Sequence, residues 1–299
     1  MPDGKTSARS EDATTVSDMQ VLSREKLLDL AAELAPAFAA AQPYPHTVID
    51  ELFPPELLEQ VIAEFPKPED IPWEVYTEEG NAQKLTTGDE RLMGPNTQRL
   101  LMWLNSRTIA DFLEVLTGIK GLVGDPHLWG GGLHQIERGG FLNVHADFNV
   151  HPRLHLDRRI NLLLYLNHDW RDEYAGHLEL WDSEMTRCVT RIAPEFNRCV
   201  IFSTGYKQFH GHPDALACPL GMTRRSVAMY YYSKGRPEEE QSKDHLTLYQ
   251  KPGEVTAPEP KHEFVAPPKP WKKTAERWLP PVLSEAGRKW ARRRRERPR

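Results

Sequence analysis

Cysteine is scarce in this chain of 299 residues: Cys188, Cys199 and Cys218 are the whole complement, with no CxxC pair among them. That excludes a disulfide framework and argues against a structural zinc site. The three are expected as small buried hydrophobes in a reducing compartment. No uninterrupted apolar run reaches the roughly 18 residues a transmembrane helix needs, so no membrane span is expected. The opening stretch MPDGKTSARSEDATTVSDMQ lacks the apolar core of a secretory signal, and a cytoplasmic location is expected. Internal repeats are also lacking.

Acidic residues outnumber basic ones until the end. The net charge is −5, yet residues 288–299, RKWARRRRERPR, hold eight cations and one glutamate, leaving −12 for the rest. An acidic body of this kind does not suit a nucleic-acid-binding fold. The basic tail is expected to be a solvated end whose charge suits an acidic partner, whether protein, RNA or an anionic surface.

What is present falls into four stretches. Residues 1–20 are polar and unpatterned and are expected to be disordered. Residues 21–120 predict a helical support region. Ser23 caps a helix carrying Leu27, Leu28, Leu30 and Leu34, an extended piece lies around His46–Ile49, and Pro54 and Pro55 open a second helix. Residues 66–96, rich in Pro, Glu, Asp and Gly, read as a surface loop able to cover a site. Thr97–Leu116 reads as one helix ending before Gly118. Residues 121–236 turn to short runs bounded by turn residues, which predict a β-sandwich or barrel, with a hairpin turn at Arg138–Gly140 and a loop at Asn167–Gly176. Residues 237–299 are Pro- and Lys-rich before the basic tail and cannot build a conventional core element.

Three motifs carry chemistry. In FLNVHADF, His145 and Asp147 stand two apart, so a strand directs both to one face, where an imidazole and a carboxylate can share a divalent metal. In FSTGYKQFHGHP, His210 follows a strand and supplies a second imidazole, with His212 as its competitor. Two histidines and one carboxylate leave open coordination positions, as in the facial triad of non-haem iron(II) oxygenases, whereas a structural zinc site closes its sphere. In TRRSVAMYYYS, a strand puts Arg224, Ser226 and Ala228 on one face. The guanidinium can grip a carboxylate bidentately, and the small residues leave room for a carbon chain.

Taken in order, HADF, YLNHDW, IAPEFNRCVIF, FHGH and TRRSVAMYYY resemble the iron(II)- and 2-oxoglutarate-dependent prolyl 4-hydroxylase-like oxygenases, the oxygen-sensing prolyl hydroxylases included, over about residues 120–235. The resemblance implies a mainly β fold behind N-terminal helices, with a double-stranded β-helix, or jelly-roll, core. It implies His145, Asp147 and His210 as metal ligands, and Arg224 and Tyr165 as holders of the distal 2-oxoglutarate carboxylate. Ser226 lies beside them. The implied cofactors are Fe(II) and the cosubstrate 2-oxoglutarate, with ascorbate as a reductant. The implied reaction hydroxylates an unactivated C–H bond of a prolyl or other amino-acid residue, or of a small molecule, and releases succinate and CO2.

The chain departs from the family in two places. The stretch GHPDALACPLGMT between the distal histidine and the arginine is long, which leaves Arg225 as an alternative to Arg224. His134 and Gln135 stand where some relatives have a tyrosine, and either could touch cosubstrate or substrate. The carboxylate at Asp147 favours hydroxylation over halogenation. Two other readings stand beside this one: a cupin-type metalloenzyme that does not use 2-oxoglutarate, and a catalytically silent binding module.

Overall fold

The computed structural model describes residues 23–76, 81–256 and 258. The stretch 1–20 and the basic tail 288–299 lie outside the described residues, as does most of the Pro-rich segment before the tail.

Helix α1 (Arg24–Ala40) starts where Ser23 accepts a hydrogen bond from the Lys26 amide at 3.3 Å, and it buries Leu27, Ala31 and Phe38. After strand β1 (His46–Asp50), Pro55 occupies the first position of α2 (Pro55–Ala63), where its missing N–H is no loss. The helix expected over Thr97–Leu116 is two helices, α3 (Pro95–Leu104) and α4 (Arg107–Thr117). The break falls at Asn105, whose side chain donates to the Asp125 carbonyl at 3.2 Å, while Ser106 is extended. The hydrophobic period runs on across this kink, so periodicity alone could not show it. Gly118 ends α4 in the left-handed region at φ +73°, as its position predicted.

The segment 66–96, expected as a loop, contains two strands, β2 (Glu74–Tyr76) and β3 (Asn81–Thr87). Residues 77–80 between them lie outside the described residues. The run NAQKLTT carries little strand signal of its own. It becomes a strand because a long-range partner, β5 (Gly132–His145), supplies its ladder.

The remaining strands are β4 (Val123–Gly124), β6 (Asp157–Tyr165), β7 (Leu178–Trp181), β8 (Cys188–Ile192), β9 (Arg198–Ser203), β10 (Phe209–His212) and β11 (Arg224–Ser233). Their pairing is antiparallel and runs β1-β9-β6-β11-β5-β10-β7-β8, with β3 also on β5 and β4 on β11. This is the expected jelly-roll core behind N-terminal helices, and β5 is its corner. The first half of β5 pairs with β11 (Leu133 with Val227) and the second half with β10 (His145 with His210). One strand therefore serves both walls.

The turn expected at Arg138–Gly140 is a bulge inside β5, not a hairpin. β3 pairs with β5 on both sides of it, shifting register between Ala82 and Lys84. Gly139, at φ +84°, donates to the Leu216 carbonyl at 2.8 Å, and the Leu216 amide donates to Gly140 at 2.9 Å. The glycines bend the strand rather than reverse it.

Alternation along β6 and β11 sorts the interior into two layers. Ile160, Leu162, Leu164, Val227, Met229 and Tyr231 join the helix core of Leu58, Leu100, Leu104 and Leu113. Each buried leucine there contributes roughly 1.5–3 kcal/mol. The opposite face of the same strands, Asn161, Leu163, Arg224, Ser226 and Tyr230, lines a cavity between the walls.

Candidate metal centre and its cavity

His145, Asp147 and His210 converge in that cavity. One donor atom from each lies within 4.8 Å of the others, and all three are buried or nearly so. Asp147 stands just beyond the end of β5, where Ala146 bridges to Leu248. Its Oδ1 is 3.7 Å from His145 Nε2 and its Oδ2 is 3.4 Å from His210 Nε2. The two imidazole centroids are 4.6 Å apart. In each ring Nδ1 faces a carbonyl two residues back, Asn143 at 2.8 Å and Gln208 at 3.4 Å. A proton on Nδ1 leaves the Nε2 lone pairs aimed inward, the tautomer a metal needs.

Charge supports the same chemistry. Burial alone would raise the Asp147 carboxyl, but the Arg158 guanidinium and the two histidines outweigh it and hold it well below the usual carboxylate range. Burial lowers His210 to about 3, against the pull of Asp147, so it is neutral at neutral pH. Two imidazoles and one carboxylate fit a divalent ion with positions left open.

Sequence reasoning missed the groups that hold Asp147. Arg158, on β6 and 1% exposed, meets its Oδ2 at 3.0 Å, and the Asn161 amide donates to the same oxygen at 2.8 Å. Arg158 also donates to Asn161 Oδ1 at 3.0 Å and lies over the Tyr230 ring at 3.5 Å. The two stand three apart, so a regular strand would set them on opposite faces; the register shift between Tyr231 and Tyr232, which skips Arg159, brings both to the cavity.

Farther along the cavity, Arg224 donates to the Gly176 carbonyl at 2.7 Å and to the Tyr165 hydroxyl at 3.1 Å. Burial raises the Tyr165 pKa even with Arg224 beside it, so the phenol stays protonated and able to donate. Ser226 pairs with Tyr165 on one side and His134 on the other, and it lines the cavity. Arg225 points to the opposite face, toward Thr223 at 3.1 Å and the Phe65 ring at 5.3 Å. His134 lines the cavity, whereas Gln135 turns away to the Pro66 carbonyl at 3.1 Å. His212 shares the cavity but is outside the three-residue cluster. Lys84 of β3 also reaches it, a consequence of the strand that the sequence did not announce.

Three large side chains near the motifs, His151, Trp170 and Trp181, lie outside the cavity lining. His151 is buried against Asp125 at 3.1 Å, and Trp170 packs with Ile136, Leu216 and Cys218. Trp181 donates to Glu179 at 3.0 Å. Tyr249, whose ring is 5.5 Å from His145, lies on a segment pinned beside the end of β5 by the Ala146–Leu248 pair. Among the described residues no helix is long and apolar enough to cross a membrane.

Residues 131–263 match the sequence model of the 2OG-Fe(II) oxygenase superfamily. No curated protein matches the chain. Among solved structures, a Pseudomonas putida prolyl-4-hydroxylase aligns at 16% identity and TM-score 0.44, over 69% of this chain and 100% of that one. A Trichoplax adhaerens prolyl hydroxylase, solved with a hypoxia-inducible-factor peptide, aligns at 14% identity and TM-score 0.46, over 70% and 91%. HygX from Streptomyces hygroscopicus, solved with nickel and 2-oxoglutarate, aligns at 12% identity and TM-score 0.48, over 72% and 96%. The family resemblance carried by the five motifs agrees with the superfamily match.

Proposed function

We propose, from the match of residues 131–263 to the 2OG-Fe(II) oxygenase superfamily and the cavity it encloses, that this chain is an iron(II)- and 2-oxoglutarate-dependent dioxygenase. It hydroxylates an unactivated C–H bond of a prolyl or other amino-acid residue, or of a small molecule, with release of succinate and CO2. The observation that carries this reading is the convergence of His145, Asp147 and His210 within 4.8 Å, beside the Arg224–Tyr165 pair.

His145 and His210 would hold the iron through Nε2 and Asp147 through a carboxylate oxygen. Iron and 2-oxoglutarate together supply the oxidising power, while the protein supplies position and shielding. Asn161 and Arg158 fix the Asp147 carboxylate from the side of β6, so its geometry does not depend on the metal. Arg224 and the Tyr165 hydroxyl present N–H and O–H donors to the distal carboxylate of 2-oxoglutarate. Leu163, Leu178 and Ile136 form apolar wall between these polar ends and limit the access of water.

Succinate release from 2-oxoglutarate, assayed with ascorbate present, is expected to require Fe(II) and to fall to background in His145→Ala and Asp147→Ala. Turnover that persists without 2-oxoglutarate would favour the cupin-type reading. A wild-type chain that binds no divalent metal would favour a silent binding module.

A further inference from the structure

We propose that Lys84 and His212 form a second carboxylate-binding subsite in the cavity, separate from the Arg224–Tyr165 pair. The inference rests on the oxygenase reading above and extends it to two residues to which the resemblance assigns no part in holding metal or cosubstrate.

Strand register places Lys84 first. Lys84 of β3 pairs with Ile136 of β5, and Ile136 pairs with Arg224 of β11, so the three form one row across adjacent strands. Two strand spacings, about 9–10 Å, separate the backbones that carry the two cations. Arg224 leans away from β3. Its guanidinium is held by the Gly176 carbonyl and by Tyr165 on β6, the strand on the far side of β11. The Lys84 amine therefore meets a different part of whatever fills the cavity.

His212 comes from the other wall. It stands on β10, paired with Leu142, and is 3% exposed. Neither of its ring nitrogens has a hydrogen-bond partner among the described residues. A buried polar group left unsatisfied costs roughly 1–3 kcal/mol, so an imidazole placed this way calls for a polar ligand atom. Its neighbour His134 differs, since that ring is bonded to the Gly130 carbonyl at 2.9 Å.

Charge names the ligand's class. The described cavity lining carries the cations Lys84, Arg158 and Arg224 against the single carboxylate of Asp147. Arg158 and Asp147 pair with each other. The described lining therefore holds more cationic than anionic side chains, which suits an anionic group. A carboxylate accepts from an ammonium and from an imidazole N–H at once. Its source is either the C1 end of 2-oxoglutarate or an acidic substrate.

Calorimetric titration of 2-oxoglutarate into the Mn(II)-loaded protein tests the first source. Paramagnetic broadening of 13C-acetate, added to the protein saturated with Mn(II) and 2-oxoglutarate, tests the second. If the C1 end is held, Lys84→Met and His212→Phe each weaken 2-oxoglutarate by about tenfold or more, and Lys84→Arg restores it. If an acidic substrate is held, 2-oxoglutarate affinity is unchanged, while acetate broadening seen in the wild type disappears in both variants. Unchanged 2-oxoglutarate affinity together with acetate broadening that is absent, or insensitive to both variants, overturns the proposal. Mn(II) affinity and the thermal transition report whether each variant folds, and Lys84→Gln and His212→Asn replace any that do not. A wild-type protein that binds Mn(II) but gives that negative result loses only this subsite, whereas one that binds no Mn(II) loses the oxygenase reading as well.

Discussion

Arg158 is a charged side chain held at 1% exposure, and it tolerates that burial because Asp147 and the Tyr230 and Phe148 rings surround its guanidinium. Arg158→Met would leave Asp147 as a buried carboxylate without its cation. The metal-free variant is expected to lose roughly 3–5 kcal/mol, read as a lower urea midpoint at unchanged slope. Lys84 gives a pH signature of the opposite kind. Burial lowers its pKa to about 8 from 10.5, so between those values the unfolded chain binds more protons than the folded one. Stability then rises with pH across that window, by roughly 2–3 kcal/mol for this one group. Urea titrations of ligand-free wild type and Lys84→Met from pH 7 to 10.5 should show this rise in the wild type and its loss in the variant. The candidate metal-binding triad and Arg224 were legible as residue types at suggestive spacings. Arg158, Asn161, Lys84 and His212 were not, because what brings them to one cavity is pairing between strands far apart in the chain.

The β character of the core was legible from its short runs, and β5 to β11 all lie within the 121–236 stretch where those runs predicted a β-sandwich or barrel. The failures came where a partner, not a local preference, decided the element. β3 is polar and becomes a strand only against β5, and the glycines of β5 bend one strand in two instead of joining two. Gly211, between His210 and His212, shows how tightly such pairing is built. A Cβ there would lie 2.8 Å from both the Asn143 and the Leu142 carbonyl oxygens, which are backbone atoms and cannot swing aside. Gly211→Ala is expected to force β10 away from β5, with a loss of roughly 1–3 kcal/mol. Because both neighbours face the cavity, metal affinity should fall in the same variant, measurable by Mn(II) titration.

For the molecule as a whole, the three candidate ligands come from the end of β5 and from β10, and the Tyr165–Arg224 pair from β6 and β11, so a ligand held by both sets would tie both walls together. Any ligand bound only by the folded state raises its stability by mass action. Mn(II) at about a hundred times its dissociation constant should add roughly 2.7 kcal/mol to the wild type. The thermal midpoint should rise by several degrees in the wild type, and Asp147→Ala should show no rise.

Residue chemistry and periodicity determined, before any fold was known, that helices would precede a β core, which motifs could hold a metal, and that Arg224 and Ser226 would share a strand face. Those are local properties, set by side-chain type and by the two-residue repeat of a strand. Only the tertiary structure decided that Arg224 and not Arg225 turns inward, that His212 is buried beside the cluster without joining it, and that β3 delivers Lys84 to the same cavity. The physical reason is register. Which residue of one strand stands opposite which residue of another depends on bulges and long-range hydrogen bonds, and no segment carries that information alone.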